Sequence, residues 1–137
     1  MAGGMTRTGP AVVPGIWCER TVYRSVHADE VAGWTACAVD GPLRAVRLIN
    51  ADARRLAAGL PKRAGERALR GVTGEGRLGA VAALYRGEPC GLALHCGGTW
   101  VEWSATPVRF LVVVSRMGPR GRCGDGHEQG FGTAVRR

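Results

Sequence analysis

Trp34-Thr-Ala-Cys-Ala-Val39-Asp40-Gly41-Pro42-Leu43-Arg-Ala-Val-Arg-Leu-Ile49-Asn50 is the stretch on which the architecture of the amino-terminal half turns. Asp-Gly readily adopts the pair of positive φ angles of a type I′ turn, so Trp34–Val39 and Leu43–Ile49 read as the two arms of a β-hairpin. Pro42 is awkward in that reading, and Asp40 capping a helix with Pro42 at its first position is the alternative. The hairpin is preferred because Asn50 makes the better helix cap. Asp52 then falls in the first turn, and Ala53, Leu56, Ala57 and Leu60 share one helical face.

Upstream, Ile16-Trp-Cys-Glu-Arg-Thr-Val-Tyr-Arg-Ser-Val26 mixes β-branched, aromatic and charged residues without helical spacing and reads as a first strand. Downstream, Pro61 interrupts the helix, and Ala64, Ala68 and Val72 carry a second short helix or a kinked continuation to about Gly71. Gly71 to Gly79 is a glycine-rich connector. From Ala80 the pattern is strand: Ala80–Tyr85, a turn at Gly87-Glu88-Pro89, Gly91–Cys96, a turn at Gly97-Gly98, Thr99–Ala105 and Val108–Ser115. Leu111 to Val114 is apolar on both faces, which places the last strand centrally in its sheet. The expected fold is α+β. A largely antiparallel sheet, made of two amino-terminal hairpin-type strands and a carboxy-terminal meander, packs on one long or kinked helix.

The chain has 137 residues, enough for one domain with its own core. Composition divides it into a flexible tail over 1–14, an α+β domain over 15–116 and a flexible Gly/Arg-rich tail over 117–137. No apolar run approaches the roughly 20 residues of a membrane-spanning helix, and the first residues lack the apolar core of a secretory signal. A cytoplasmic protein with free thiols and no membrane association is the expectation. The five cysteines, Cys18, Cys37, Cys90, Cys96 and Cys123, are an odd number and do not complete a disulfide framework.

Charge is the strongest compositional signal. Of 19 basic residues only Lys62 is not arginine, 11 residues are acidic, and the formal net charge is +8. Coding by GC-rich DNA explains the choice of arginine over lysine but not the surplus of positive charge, which attracts polyanions. Arg63, Arg67 and Arg70 recur at i, i+4 and i+7. With Arg54, Arg55 and Lys62 they form a candidate nucleic-acid-binding stripe, to which Arg116, Arg120, Arg122, Arg136 and Arg137 add tail charge. The competing reading is a solvated helix face in which Glu66 pairs with Arg70 and Arg63, and Asp52 with Arg55.

Aromatic rings on an exposed sheet face hold single-stranded nucleic acid in other settings. Trp100 and Trp103 have opposite parity on one strand, so one of them belongs to the core. Trp17 and Tyr23 share parity on the first strand and could form an exposed pair, but packing against the helix is their expected fate.

Cys90, His95 and Cys96 cannot close on one ion. Cys90 and Cys96 face one way, His95 the other, and the extended chain separates the two thiols by about 20 Å. Cys123 and His127 have the spacing of half a zinc site. A cysteine nucleophile would need a neighbouring histidine, and Glu102 with Arg109 reads as a cross-strand ion pair rather than a general base. No metal or other cofactor is expected.

The residues point first to a non-catalytic interaction or regulatory module with a protein or nucleic-acid partner. That module acts through the exposed sheet face or the basic helix. The alternatives are a nucleic-acid-binding protein using the arginine-rich stripe, and a small thiol-dependent or metal enzyme built on Cys90, Cys96 or Cys123.

Overall fold

The computed structural model describes residues 11–27 and 30–112. Strands β1 (Ala11–Tyr23) and β2 (Val31–Val39) are followed by helices α1 (Pro42–Ala57) and α2 (Lys62–Ala68), a 3-10 turn (Leu69–Val72) and helix α3 (Glu75–Tyr85). Strands β3 (Cys90–Cys96) and β4 (Thr99–Val112) complete the chain of elements. The four strands form one antiparallel sheet in the order β2-β1-β4-β3. An α+β fold with an antiparallel sheet is therefore observed, but three short helices replace the expected long or kinked one.

The stretch expected to form the second arm of the hairpin, Leu43–Ile49, is helical. Pro42 decides it. Proline has no N–H to give to a strand ladder, while the first helical position asks for none and matches its fixed φ. Gly41, in extended conformation with φ −169°, is the N-cap; Asp40 lies one residue outside the helix and approaches Arg44 at 3.5 Å. Ala45, Ile49, Ala53 and Ala57 then recur every fourth residue and are all buried, so the apolar stripe of α1 begins one turn before Asn50. Asn50 is no cap: it lies mid-helix, buried, and its Nδ2 donates to the Val72 carbonyl at 3.2 Å, tying α1 to the 3-10 turn.

Ala80–Tyr85, expected as a strand, is the second half of α3. Gly74, with φ +59°, supplies its N-cap, and Glu75 stands in the first turn where a negative charge suits the helix dipole. Leu84 is buried in the core, with Ala80 and Val81 packed partly against it. The expected turn between Thr99–Ala105 and Val108–Ser115 is absent; β4 runs unbroken through Thr106 and Pro107 to Val112. Glu102 and Arg109 consequently share a strand on opposite faces, and their cross-strand pair does not form. The remainder of that expected strand, residues 113–115, lies outside the described residues. So do the residues of the expected tails, except for Ala11–Pro14, which belong to β1 and pair with Val112–Arg109.

Central position of the last strand is observed. β4 is flanked by β1, along the whole register from Ala11↔Val112 to Tyr23↔Trp100, and by β3 across the Gly97-Gly98 turn. Both turn glycines have positive φ, 57° and 91°, as a tight hairpin of this kind requires. All helices lie on one face of the sheet. There Ile16, Cys18, Leu94, Val101, Trp103 and Ala105 meet Ala45, Val46, Ile49 and Ala53 of α1.

Close approach of α2 to the end of α1 requires Gly65, since a Cβ there would stand 2.9 Å from the Ala57 carbonyl oxygen. Gly65→Ala gains up to about 1 kcal/mol of helix propensity. It forces the two helices apart at a cost of about 1–3 kcal/mol. Urea unfolding is expected to show a net loss of stability, and a stabilised variant would contradict this packing.

Candidate functional site

Alternation along the strands sorts the aromatic residues onto two faces. Trp103, only 2 % exposed, points into the helix-covered core, and Trp100 stands on the other face. The opposite parity of these two residues required that separation. Trp17 and Tyr23 share the face of Trp100, away from the helices, and so are not packed against a helix as expected.

The register places two of these rings side by side. Tyr23 of β1 lies directly across from Trp100 of β4, which lies directly across from His95 of β3. Trp34 of β2, 44 % exposed, faces Thr21 one pair further along. Trp17 sits further along β1, and the Phe110 ring lies over Gly15, where a Cβ would meet it at 2.5 Å. Two carboxylates are threaded through the rings, each accepting an indole N–H from its own strand: Trp17 Nε1 donates to Glu19 Oε1 at 3.0 Å and Trp100 Nε1 to Glu102 Oε1 at 2.7 Å. Among the described residues no Lys or Arg occupies a position on this face, and no helix covers it. The signal was present in the sequence as period-2 spacing. What the sequence lacked was the side on which α1 would settle.

The six basic residues singled out from the sequence lie on the helical layer. Arg54 and Arg55 end α1, Lys62, Arg63 and Arg67 belong to α2, and Arg70 is in the 3-10 turn; all are exposed. Arg55 approaches Asp52 at 3.6 Å. Among the described residues Glu66 has no cation within ion-pair distance, and Arg54, Lys62, Arg63, Arg67 and Arg70 have no carboxylate. Local pairing therefore neutralises little of this surface.

Asp52 is a residue that sequence reasoning misplaced. Expected in the first turn of a helix capped by Asn50, it lies in the middle of α1 and is 3 % exposed. Its Oδ2 accepts the Trp103 indole N–H at 2.8 Å and lies 3.5 Å from Arg20 Nε, while Arg55 Nη1 is 3.6 Å from Oδ1. The carboxylate thus fastens α1 to β1 and β4. It also borders a cleft of about 480 Å³ between α1 and the edge strand β2, whose walls include Cys37, Asp40, Arg44, Arg47 and Arg55.

Cys18 and Cys37 are register partners on the helix-covered face. Burial, reinforced by the neighbouring thiols Cys37 and Cys90, pushes Cys18 up to about 12. Burial also raises Cys37, Cys90 and Cys96 above the ordinary thiol value. A nucleophilic cysteine needs the opposite shift. Among the described residues no group of three or more His, Cys, Asp or Glu side chains is arranged to hold a metal, and Cys123 and His127 lie outside them. No described helix is long and apolar enough to cross a membrane.

No protein-family model, curated protein or solved structure matches this chain.

Proposed function

We propose that the chain is a non-catalytic interaction module that receives a protein partner on the helix-free face of its sheet. The observation that carries this reading is the row Tyr23, Trp100 and His95, with Trp34 beside it and Trp17 six residues back along β1, on a face that no described element covers. Tyrosine and tryptophan are the residues that protein interfaces concentrate at their energetic centres, because a large rigid ring buries much area at little cost in side-chain entropy. The same rings alone would also suit stacked bases. Glu19 and Glu102, with no Lys or Arg among the described residues on the face to offset them, turn the electrostatics against a phosphate backbone and towards a partner offering apolar and hydrogen-donating or cationic groups. Free thiols suit a reducing compartment, consistent with a cytoplasmic setting.

A second reading, nucleic-acid binding through the helical layer, is favoured by the guanidiniums of Arg54, Arg63, Arg67 and Arg70, which with Lys62 have no carboxylate within ion-pair distance among the described residues. About five phosphate contacts would make affinity fall on the order of a few hundredfold between 50 and 200 mM salt.

One experiment separates the two. A photo-reactive phenylalanine is placed at Trp34 in one variant and at Arg63 in another, and cells are irradiated. The proposal expects a discrete protein adduct from position 34 that disappears when Trp100→Ala is added, with thermal stability retained. Adducts confined to position 63 and containing nucleic acid, with a salt-sensitive mobility shift lost in the Arg63→Ala, Arg67→Ala, Arg70→Ala variant, would replace it by the second reading. A position-34 adduct of the chain with its own copy would assign the face to self-association and overturn a distinct partner.

A further inference from the structure

The α1–β2 cleft lies on the side of the sheet opposite the aromatic face and raises a separate question. Helix α1 packs on β1, β3 and β4 and stands away from the edge strand β2. Cys37 and Val39 of β2 line one side of the resulting cleft; Leu48 and Ala51 give the other side an apolar surface, and Arg44, Arg47 and, about two turns further on, Arg55 project around it from α1. Two carboxylates answer these cations. Asp40 stands 3.5 Å from Arg44, and Asp52 is already engaged by the Trp103 indole and Arg20, so that its approach to Arg55 is only partly available. Arg47 has no carboxylate within ion-pair distance among the described residues. Counting Arg20 behind Asp52, four guanidiniums face two carboxylates, an excess of two positive charges.

We propose that this cleft binds a small phosphate monoester, its dianionic phosphate held by Arg44 and Arg47 and its organic body lying on Leu48 and Ala51 towards Arg55. Guanidinium forks match phosphate oxygens two at a time, and a dianion cancels the local excess of charge. A volume of about 480 Å³ accommodates a ligand of metabolite size. Because the sheet separates this site from the open face, its occupancy and the interaction proposed above stand or fall independently.

The test uses the full chain and phenyl phosphate as the probe, with succinate and inorganic phosphate in parallel, by isothermal titration at low salt. Single-site saturable binding of phenyl phosphate is expected, at about millimolar affinity or tighter. Arg47→Ala and Arg44→Ala each weaken it by about tenfold to a hundredfold, since each removes a charge-assisted contact. Arg63→Ala with Arg67→Ala, outside the cleft, leaves it unchanged. Because Cys37 lines the cleft and Cys96 lies on the far edge strand, the ligand is also expected to slow alkylation of Cys37 and not of Cys96. No saturable binding overturns the proposal. Equal weakening by the Arg63 and Arg67 substitutions would assign the attraction to overall charge, and succinate binding as tightly as phenyl phosphate would overturn the phosphate class.

Discussion

Asp52→Ala is expected to lower the stability of the folded chain by about 2–4 kcal/mol, a large fraction of the roughly 5–15 kcal/mol available to a domain of this kind. The reason lies in what the substitution leaves behind. Trp103, at 2 % exposure, would keep its indole N–H in the core with no acceptor, a cost of about 1–3 kcal/mol. Arg20, whose side chain is 20 % exposed, would lose the carboxylate 3.5 Å from its Nε and stand half-buried without a counter-charge. The ion-pair distances exceed those of good hydrogen bonds, so the loss falls below that of a tight buried pair. Asp52→Asn, which retains an acceptor for the indole, should recover about half of it. Equilibrium urea unfolding measures both, and a double-mutant cycle with Trp103→Phe isolates the indole–carboxylate bond at about 1–2 kcal/mol of coupling. A coupling near zero with a near-neutral Asp52→Ala would show that α1 is held to the sheet by apolar contact alone.

Raising the pH should unfold the protein progressively, with Cys18 as the largest single contributor. Its thiol is fully buried and held at about 12 in the folded chain, against 9.0 for the ordinary group. A group whose pKa is higher when folded stabilises fully below its unfolded value, and that stability is lost as the pH climbs towards the folded one. Above pH 9 the unfolded chain releases a proton that the folded chain retains, so stability declines by up to about 1.4 kcal/mol per pH unit until about pH 12. Cys37, Cys90 and Cys96, also raised by burial, act in the same direction. Urea midpoints recorded from about pH 8 to 11 should fall steeply, and more gently in Cys18→Ala once its lower starting stability is subtracted. Parallel slopes for the two proteins would mean that Cys18 meets water without global unfolding. The same shifts bear on a thiol-dependent enzyme: the four described thiols are expected to alkylate slowly near neutral pH, a result contrary to what an activated nucleophile shows.

The β3–β4 hairpin, the antiparallel α+β class and the separation of Trp100 from Trp103 were legible in the chain itself, because each rests on a local rule. Gly97-Gly98 is a pair that tolerates positive φ where a tight turn needs it, and side chains on a strand must alternate. That the basic residues from Arg54 to Arg70 meet water was equally plain, since long charged side chains stay exposed wherever the helices go, although they are spread over α1, α2 and the 3-10 turn and not along one helix. Residues 43–49 and 80–85 were not legible in this way. A short apolar run suits a strand or a helix, and what lies against it decides: Ala45, Val46 and Ile49 are helical because they cover Cys18, Trp103 and Ala105, and Leu84 because it reaches the same core. The sheet itself closes by pairing β1 with β4 across most of the chain, a contact that no local pattern announces. That closure and the placement of all three helices on one face are what left Trp17, Tyr23, Trp34 and Trp100 uncovered. They also buried Asp52 against a tryptophan 51 residues away. Backbone preference and alternation are properties of neighbouring residues and can be read one segment at a time; burial depends on which distant surface arrives, and only the assembled tertiary structure decides that.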